Sequence, residues 1–165
     1  MRAALPILAA VALSACGLHP LYAGGSAGSV ASTLRSVTVG PIAGQSGWLV
    51  RNKLIDRLGA AGSGAATYRL DVTLDDNITA FGLSSNQAAT QERRTLRARY
   101  QLVEVKSGMV VLDATAGSDS GIDIVGSEYA TVAAEQTALE NLAEIVADQI
   151  TARVGLYASR TAQPK

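Results

Sequence analysis

The stretch "RRTLRARYQLVEVKSGMVVLDATA", residues 93–116, decides the fold class. Leu96, Ala98, Tyr100 and Leu102 recur at every second position, and Arg93, Thr95, Arg97, Arg99 and Gln101 fill the positions between. A period of two belongs to a β-strand with one face in a core and the other in water. Ser107-Gly108 reads as a hairpin turn into a second strand, "MVVLDATA" (109–116). A two-residue turn there pairs Val105 with Val110 and Val103 with Leu112. All four then fall on the arginine face. Either a bulge changes the parity near Leu102, or this end of the sheet is covered on both sides.

Working outward, "TYRLDVTL" (67–74) alternates in the same way, with Tyr68, Leu70, Val72 and Leu74 opposite Arg69, Asp71 and Thr73. "LRSVTVGPI" (34–42) is a short β-rich run closed by Gly40-Pro41, a first strand. Between the two, Val50, Leu54 and Leu58 of "GWLVRNKLIDRLGAAGSG" fall four apart, which predicts a helix that stops at Gly59. A last helix, "EYATVAAEQTALENLAEIVADQITARV", follows Ser127, a possible cap. Its apolar stripe runs through positions 138, 139, 142, 145, 146, 150 and 154, and Gly155 is the expected stop. Residues 75–92 read as a polar loop in which Asp75-Asp76-Asn77 mark a turn, and residues 117–126 read as a second loop. The order is β-α-β-β-β-α. The expected fold is α+β: a four-stranded sheet with two helices packed on one face and the other face open. It occupies residues 34–157 as a single domain, with 158–165 as a disordered tail.

A chain of 165 residues is long enough for one domain with a real core. Its formal net charge is zero, which gives no pull toward nucleic acid. Charged residues make up only 17%, which suits a surface covered by a partner and equally a drift of composition toward Ala and Gly. Residues 1–15, "MRAALPILAAVALSA", carry one basic residue, a short apolar run and then small residues. That is a secretory signal peptide, too short to span a bilayer. Leu13-Ser14-Ala15 stand immediately before Cys16, the only cysteine. This resembles the lipobox of bacterial lipoproteins, in which the thiol takes a diacylglycerol and becomes the new N-terminus. Several acyl chains at ~0.8 kcal/mol per buried CH₂ hold such an anchor in place. Gly17 after the cysteine directs it to the outer membrane in the lipoprotein sorting pattern. Residues 16–33 are then a lipidated N-terminus and a flexible tether, Gly- and Ser-rich in "AGGSAGSVAST" (23–33).

The sequence offers no metal cluster, no strand–Ser–helix elbow and no phosphate loop, since "GGSAGS" lacks the terminal Lys-Ser/Thr. His19, three residues from the anchor, has no neighbouring acid. The expectation is a non-enzyme without cofactor. Glu135, Glu140, Glu144 and Asp148 read as the solvated side of the last helix. The one suggestive charge feature is Arg93, Arg97 and Arg99 on one strand face, where Arg69 of the preceding strand can join them. Arginine forks fit phosphates and carboxylates, so these four are candidates for binding an anionic glycolipid headgroup. Cross-strand pairing with Asp71 and nearby acids is the plainer use.

"CGLHPLY" (16–22) resembles the Cys-Gly-(Phe/Leu)-(His/Arg)-Pro-Leu-Tyr start of mature LptE proteins, the lipopolysaccharide-assembly lipoproteins. "RNKLIDRL" is similar to the family's first helix, "RYQLVEVKSGMVVLDATA" to its hairpin, and "SEYATVAAEQTALENLAEIVADQITARV" to its terminal helix. The resemblance implies two helices on one side of a four-stranded sheet. It also implies an outer-membrane lipoprotein that plugs and helps to fold the β-barrel LptD, binds lipopolysaccharide and passes it to the outer leaflet. The alternative is an accessory lipoprotein of another envelope lipid-transport system of the ABC/Mce type.

Overall fold

The computed structural model describes residues 28–60, 65–83, 89–124 and 127–162. The signal segment, Cys16 and His19 lie outside them. The elements in chain order are α1 (Ser29–Arg35), β1 (Val37–Val39), α2 (Gly44–Leu58), β2 (Tyr68–Leu83), β3 (Ala89–Glu104), β4 (Val110–Asp123) and α3 (Glu128–Ala162). The fold is α+β, as the alternation required. One sheet is ordered β1-β2-β3-β4, with β1 parallel to β2 and the other pairs antiparallel. α2 and α3 cover one face.

The core lies between that face and the helices. Leu70, Leu96, Tyr100 and Leu102 of the sheet are fully buried, as are Val50, Leu54 and Leu58 of α2 and Leu139, Leu142, Val146, Ile150 and Val154 of α3. Each such aliphatic side chain contributes about 1.5–3 kcal/mol on leaving water. Gly59 ends α2 in the left-handed region at φ 64°, and Ala60 N–H closes the turn on Ile55 O at 3.0 Å.

Five expectations need correction. Residues 29–33 are not tether but the start of α1, because Val30 and Leu34 stand four apart and both bury in the core. The first strand therefore shrinks to Val37–Val39. Residues 75–92 are not a loop: β2 continues to Leu83 and β3 begins at Ala89. The pairs Asp75↔Arg97, Asp76↔Leu96 and Asn77↔Thr95 place the supposed turn in mid-strand. Polar residues on both faces hide the period there. Residues 117–123 likewise extend β4. Finally, α3 passes through a buried Gly155 to Ala162, so the expected tail is helical over 158–162, with Ala158 fully buried. Tertiary context decides these segments, not local propensity.

The parity question at the hairpin resolves as a bulge. Leu102 pairs with Leu112 but Val103 pairs with Val110, so Val111 is the extra residue. Leu112 thereby sides with Leu102 toward the helices. The turn is longer than two residues: Glu104 N–H reaches Met109 O at 2.9 Å and Gly108 N–H reaches Glu104 O at 2.8 Å. Two of the acids read as the solvated side of α3 are indeed exposed and also tie the two helices together. Arg57 bonds both Glu144, at 3.0 Å, and Asp148, and Lys53 lies 3.5 Å from Glu144.

Tyr157 of α3 meets Tyr68 of β2 edge to face, with ring centroids 6.0 Å apart. Burial and then the Tyr68 hydrogen bond push the Tyr157 hydroxyl up to about 12. An unfolded tyrosine ionises near ~10. Between those values the unfolded chain has lost a proton that the folded chain keeps, so stability falls as pH rises through that window. Thermal melts from pH 9 to 12 should show a decline in Tm that is shallower in Tyr157→Phe. An equal slope in the two proteins would refute this.

Candidate functional site

Strand register places the odd-numbered residues of β2, β3 and the distal part of β4 on the face away from the helices. The pairs Thr73↔Arg99, Asp75↔Arg97 and Thr79↔Arg93 set Arg93, Arg97 and Arg99 side by side. Arg69, opposite Val103, lies on the same face. All four are exposed. Arg94, the remaining arginine of the run, points to the helix side. It donates to both oxygens of Asp76 at 2.9 and 2.8 Å and to Glu135 O of α3 at 3.0 Å.

Three of the four candidates are held by acids. Arg69 forks onto Asp71, two residues along its own strand, at 2.9 Å. Arg99 Nη2 and Gln101 Nε2 both donate to Asp113 Oδ2, at 3.0 and 2.8 Å. The Arg99 bond, aided by Gln101, holds the Asp113 carboxyl below its ordinary range. Arg93 lies 3.7 Å from Asp119 and 5.5 Å from the centre of the Phe81 ring, a cation–π contact. Arg97 makes no ion pair among the described residues. Pairing with acids, across strands for Arg93 and Arg99 and along the strand for Arg69, therefore accounts for much of this face, but not for Arg97.

Arg97 sits at a shallow cavity of about 430 Å³ lined by Thr73, Asp75, Thr115, Gly117 and Gln149 as well. A Cβ on Gly117 would stand 3.2 Å from Arg97 Cγ and 3.4 Å from its Nη1. The guanidinium thus lies over β4, on the opposite side of β3 from Asp75. Asp75 accepts the Asn77 amide at 2.8 Å. Gln149 of α3 reaches the outer edge of the sheet: Gly117 N–H donates to its Oε1 at 3.0 Å, and its Nε2 donates to Gly117 O at 3.3 Å. Sequence reasoning missed Gly117 and Gln149. Gly117 fell in a stretch read as loop, and Gln149 stands off the apolar stripe. Asp71, Thr73, Arg99 and Gln101 line a second, more polar depression beside the first. Among the described residues no three His, Cys, Asp or Glu side chains are grouped to hold a metal, and no helix is long and apolar enough to cross a membrane.

Residues 34–154 match the family model described as LptE, lipopolysaccharide-assembly. No curated protein compared with the chain matches it in sequence. Among solved structures, one from Caulobacter crescentus described as a lipoprotein is 21% identical, with a TM-score of 0.66 over 79% of this chain and 96% of that one. The rare lipoprotein B of Shewanella oneidensis is 10% identical, with a TM-score of 0.59 over 77% and 98%. A minor lipoprotein of Acinetobacter baumannii is 16% identical, with a TM-score of 0.56 over 73% and 92%. At these identities the likeness is one of fold.

Proposed function

The chain belongs to the LptE family of lipopolysaccharide-assembly lipoproteins, and from that premise we propose that it is the plug and assembly partner of the outer-membrane β-barrel LptD. In this reading Cys16 carries the lipid anchor, the domain sits in the barrel lumen or the adjoining periplasm, and the open sheet face binds lipopolysaccharide on its way to the outer leaflet. The family match over residues 34–154 carries the proposal. The open face supports it. A sheet with both helices on one side presents its other side, bearing Arg69, Arg93, Arg97 and Arg99, to whatever encloses the domain. Lipopolysaccharide is rich in phosphate, and a guanidinium fork with neighbouring hydroxyls suits such a group. Binding and positioning are what these residues can do, and the family is non-enzymatic.

Pull-down of the lipidated full chain from detergent-solubilised membranes should recover a β-barrel protein of much greater mass. Recovery of an inner-membrane ATPase complex instead would reassign the chain to another lipid-transport system. Recovery of the lipoprotein alone would remove the plug role.

A further inference from the structure

The two ends of the domain differ in charge. As far as Asp148, α3 carries Glu128, Glu135, Glu140, Glu144 and Asp148 and no basic residue. From Gln149 to Ala162 it carries Arg153 and Arg160 and no acid. That polarity complements the helix dipole, but the dipole does not explain Lys106, which stands at the tip of the β3–β4 hairpin. The tip lies beside the end of α3, where Tyr157 meets Tyr68, the register partner of Glu104. Lys106, Arg153 and Arg160 are exposed and make no ion pair among the described residues. Of the acids at this end, Glu104 accepts the Ser107 hydroxyl and Asp56 stands exposed at the end of α2. Around the turn Val105, Met109 and Val110 are 49%, 64% and 49% exposed, an apolar tip next to unpaired cations.

The chain enters the domain at this same end. Ser36, just after α1, accepts the Thr67 N–H at 2.9 Å, and Thr67 O accepts the Val105 N–H at 2.9 Å. α1 therefore ends two hydrogen bonds from the tip, and its seven residues are only about 10 Å long. Twelve residues lie between Cys16 and Ser29, a reach of at most ~40 Å when fully extended. β2 alone runs sixteen residues, about 50 Å, toward the opposite end. A lipid anchor at Cys16 lets the hairpin end rest on the bilayer with chain to spare, whereas the acidic end would need full stretch.

We infer that the tip of the β3–β4 hairpin docks on the leaflet that holds the Cys16 anchor. Val105, Met109 and Val110 enter the headgroup layer, and Lys106, with Arg153 and Arg160 behind it, faces anionic phospholipid. So small a surface would not hold a protein on a membrane alone, but a covalent anchor supplies the local concentration it needs. The tip lies at the end of the sheet, apart from the open arginine face. The inference rests on the lipid-anchor reading of Cys16 and adds which end of the domain meets the bilayer.

The test is spin labelling of the full lipidated chain in vesicles of phosphatidylethanolamine with phosphatidylglycerol, and in vesicles of phosphatidylcholine alone. Acylation of Cys16, the only cysteine, leaves an introduced thiol as the one group to label. Met109→Cys reports the tip and Tyr129→Cys the acidic end; both native side chains are largely exposed, so both variants should melt as wild type does. In the phosphatidylglycerol vesicles the label at 109 should be severalfold less accessible to an aqueous nickel relaxer than the label at 129, and more accessible to oxygen. Adding Lys106→Gln should shift the docked-to-free ratio about fivefold toward free, the worth of one basic residue near an anionic surface. Protection that is equal in the two kinds of vesicle and survives Lys106→Gln removes the anionic lipid from the proposal. Protection accompanied by spin–spin broadening between labelled copies gives the tip to a second copy of the chain and overturns membrane docking. Equal access to the nickel relaxer at 109 and 129, with the chain still bound to vesicles, overturns the docking surface and leaves the anchor standing. Recovery of the chain in the supernatant overturns both.

Discussion

Arg94→Ala should cost the domain about 2–3 kcal/mol, toward the low end for breaking a buried ion pair because some water reaches it. The Arg94 and Asp76 side chains are only 13% and 20% exposed. Removing the arginine strands the Asp76 carboxylate beneath α3 and leaves Glu135 O without the donor that ties the helix to the sheet. The expected reading is a Tm lower by roughly 5–10 °C and faster amide exchange over residues 128–137. Asp76→Ala with Arg94→Ala should be less damaging than the two single costs added, because the pair leaves together. A single-variant cost within ~0.5 kcal/mol of zero would class the pair with ordinary surface bridges.

Gly47→Val should cost about 3 kcal/mol, at the upper end for overpacking. A Cβ at this position would stand 2.6 Å from the Ile42 carbonyl oxygen and 2.8 Å from its carbon. The obstacle is backbone, which a rotamer change cannot relieve. The segment between β1 and α2 folds directly over the helix's first turn, and Gly47 is buried under it. Gly47→Ala should fall about 1–2 kcal/mol below wild type for the same reason, and urea unfolding measures both. If the valine variant matches wild type, the segment can lift away and the close approach is not required.

The contrast between these two sites shows what the sequence discloses. The strands around Leu70 and Tyr100 were legible because one face is apolar and the other is not. Farther along the same strands Asp76, Asn77, Arg94 and Thr95 put polar groups on both faces, so the period disappears although the pairing does not. Arg94 was visible as a charge, yet its acid lies eighteen residues upstream and its third contact is a helix carbonyl. Neither has a local signature. Gly47 was visible as a glycine, but the atom it makes room for belongs to the connection before the helix. α1 was hidden because two apolar residues, Val30 and Leu34, are too few to stand out against serine and glycine. Parity placed Arg93, Arg97 and Arg99 on one face. It could not tell which of them lacks an acid partner among the described residues, because that depends on where Asp113 and Asp119 fall in the next strand.

The Gln149 clasp has a consequence for the company the protein keeps. β4 is the outermost strand, and an outermost strand is a template on which another chain can continue the sheet. At Gly117 that continuation is already occupied, by a side-chain amide that mimics the peptide of a missing neighbour. The longest unblocked runs on either side are only about half a strand. A sheet that other chains could zip onto would invite self-association, and one glutamine jams the zipper near its middle.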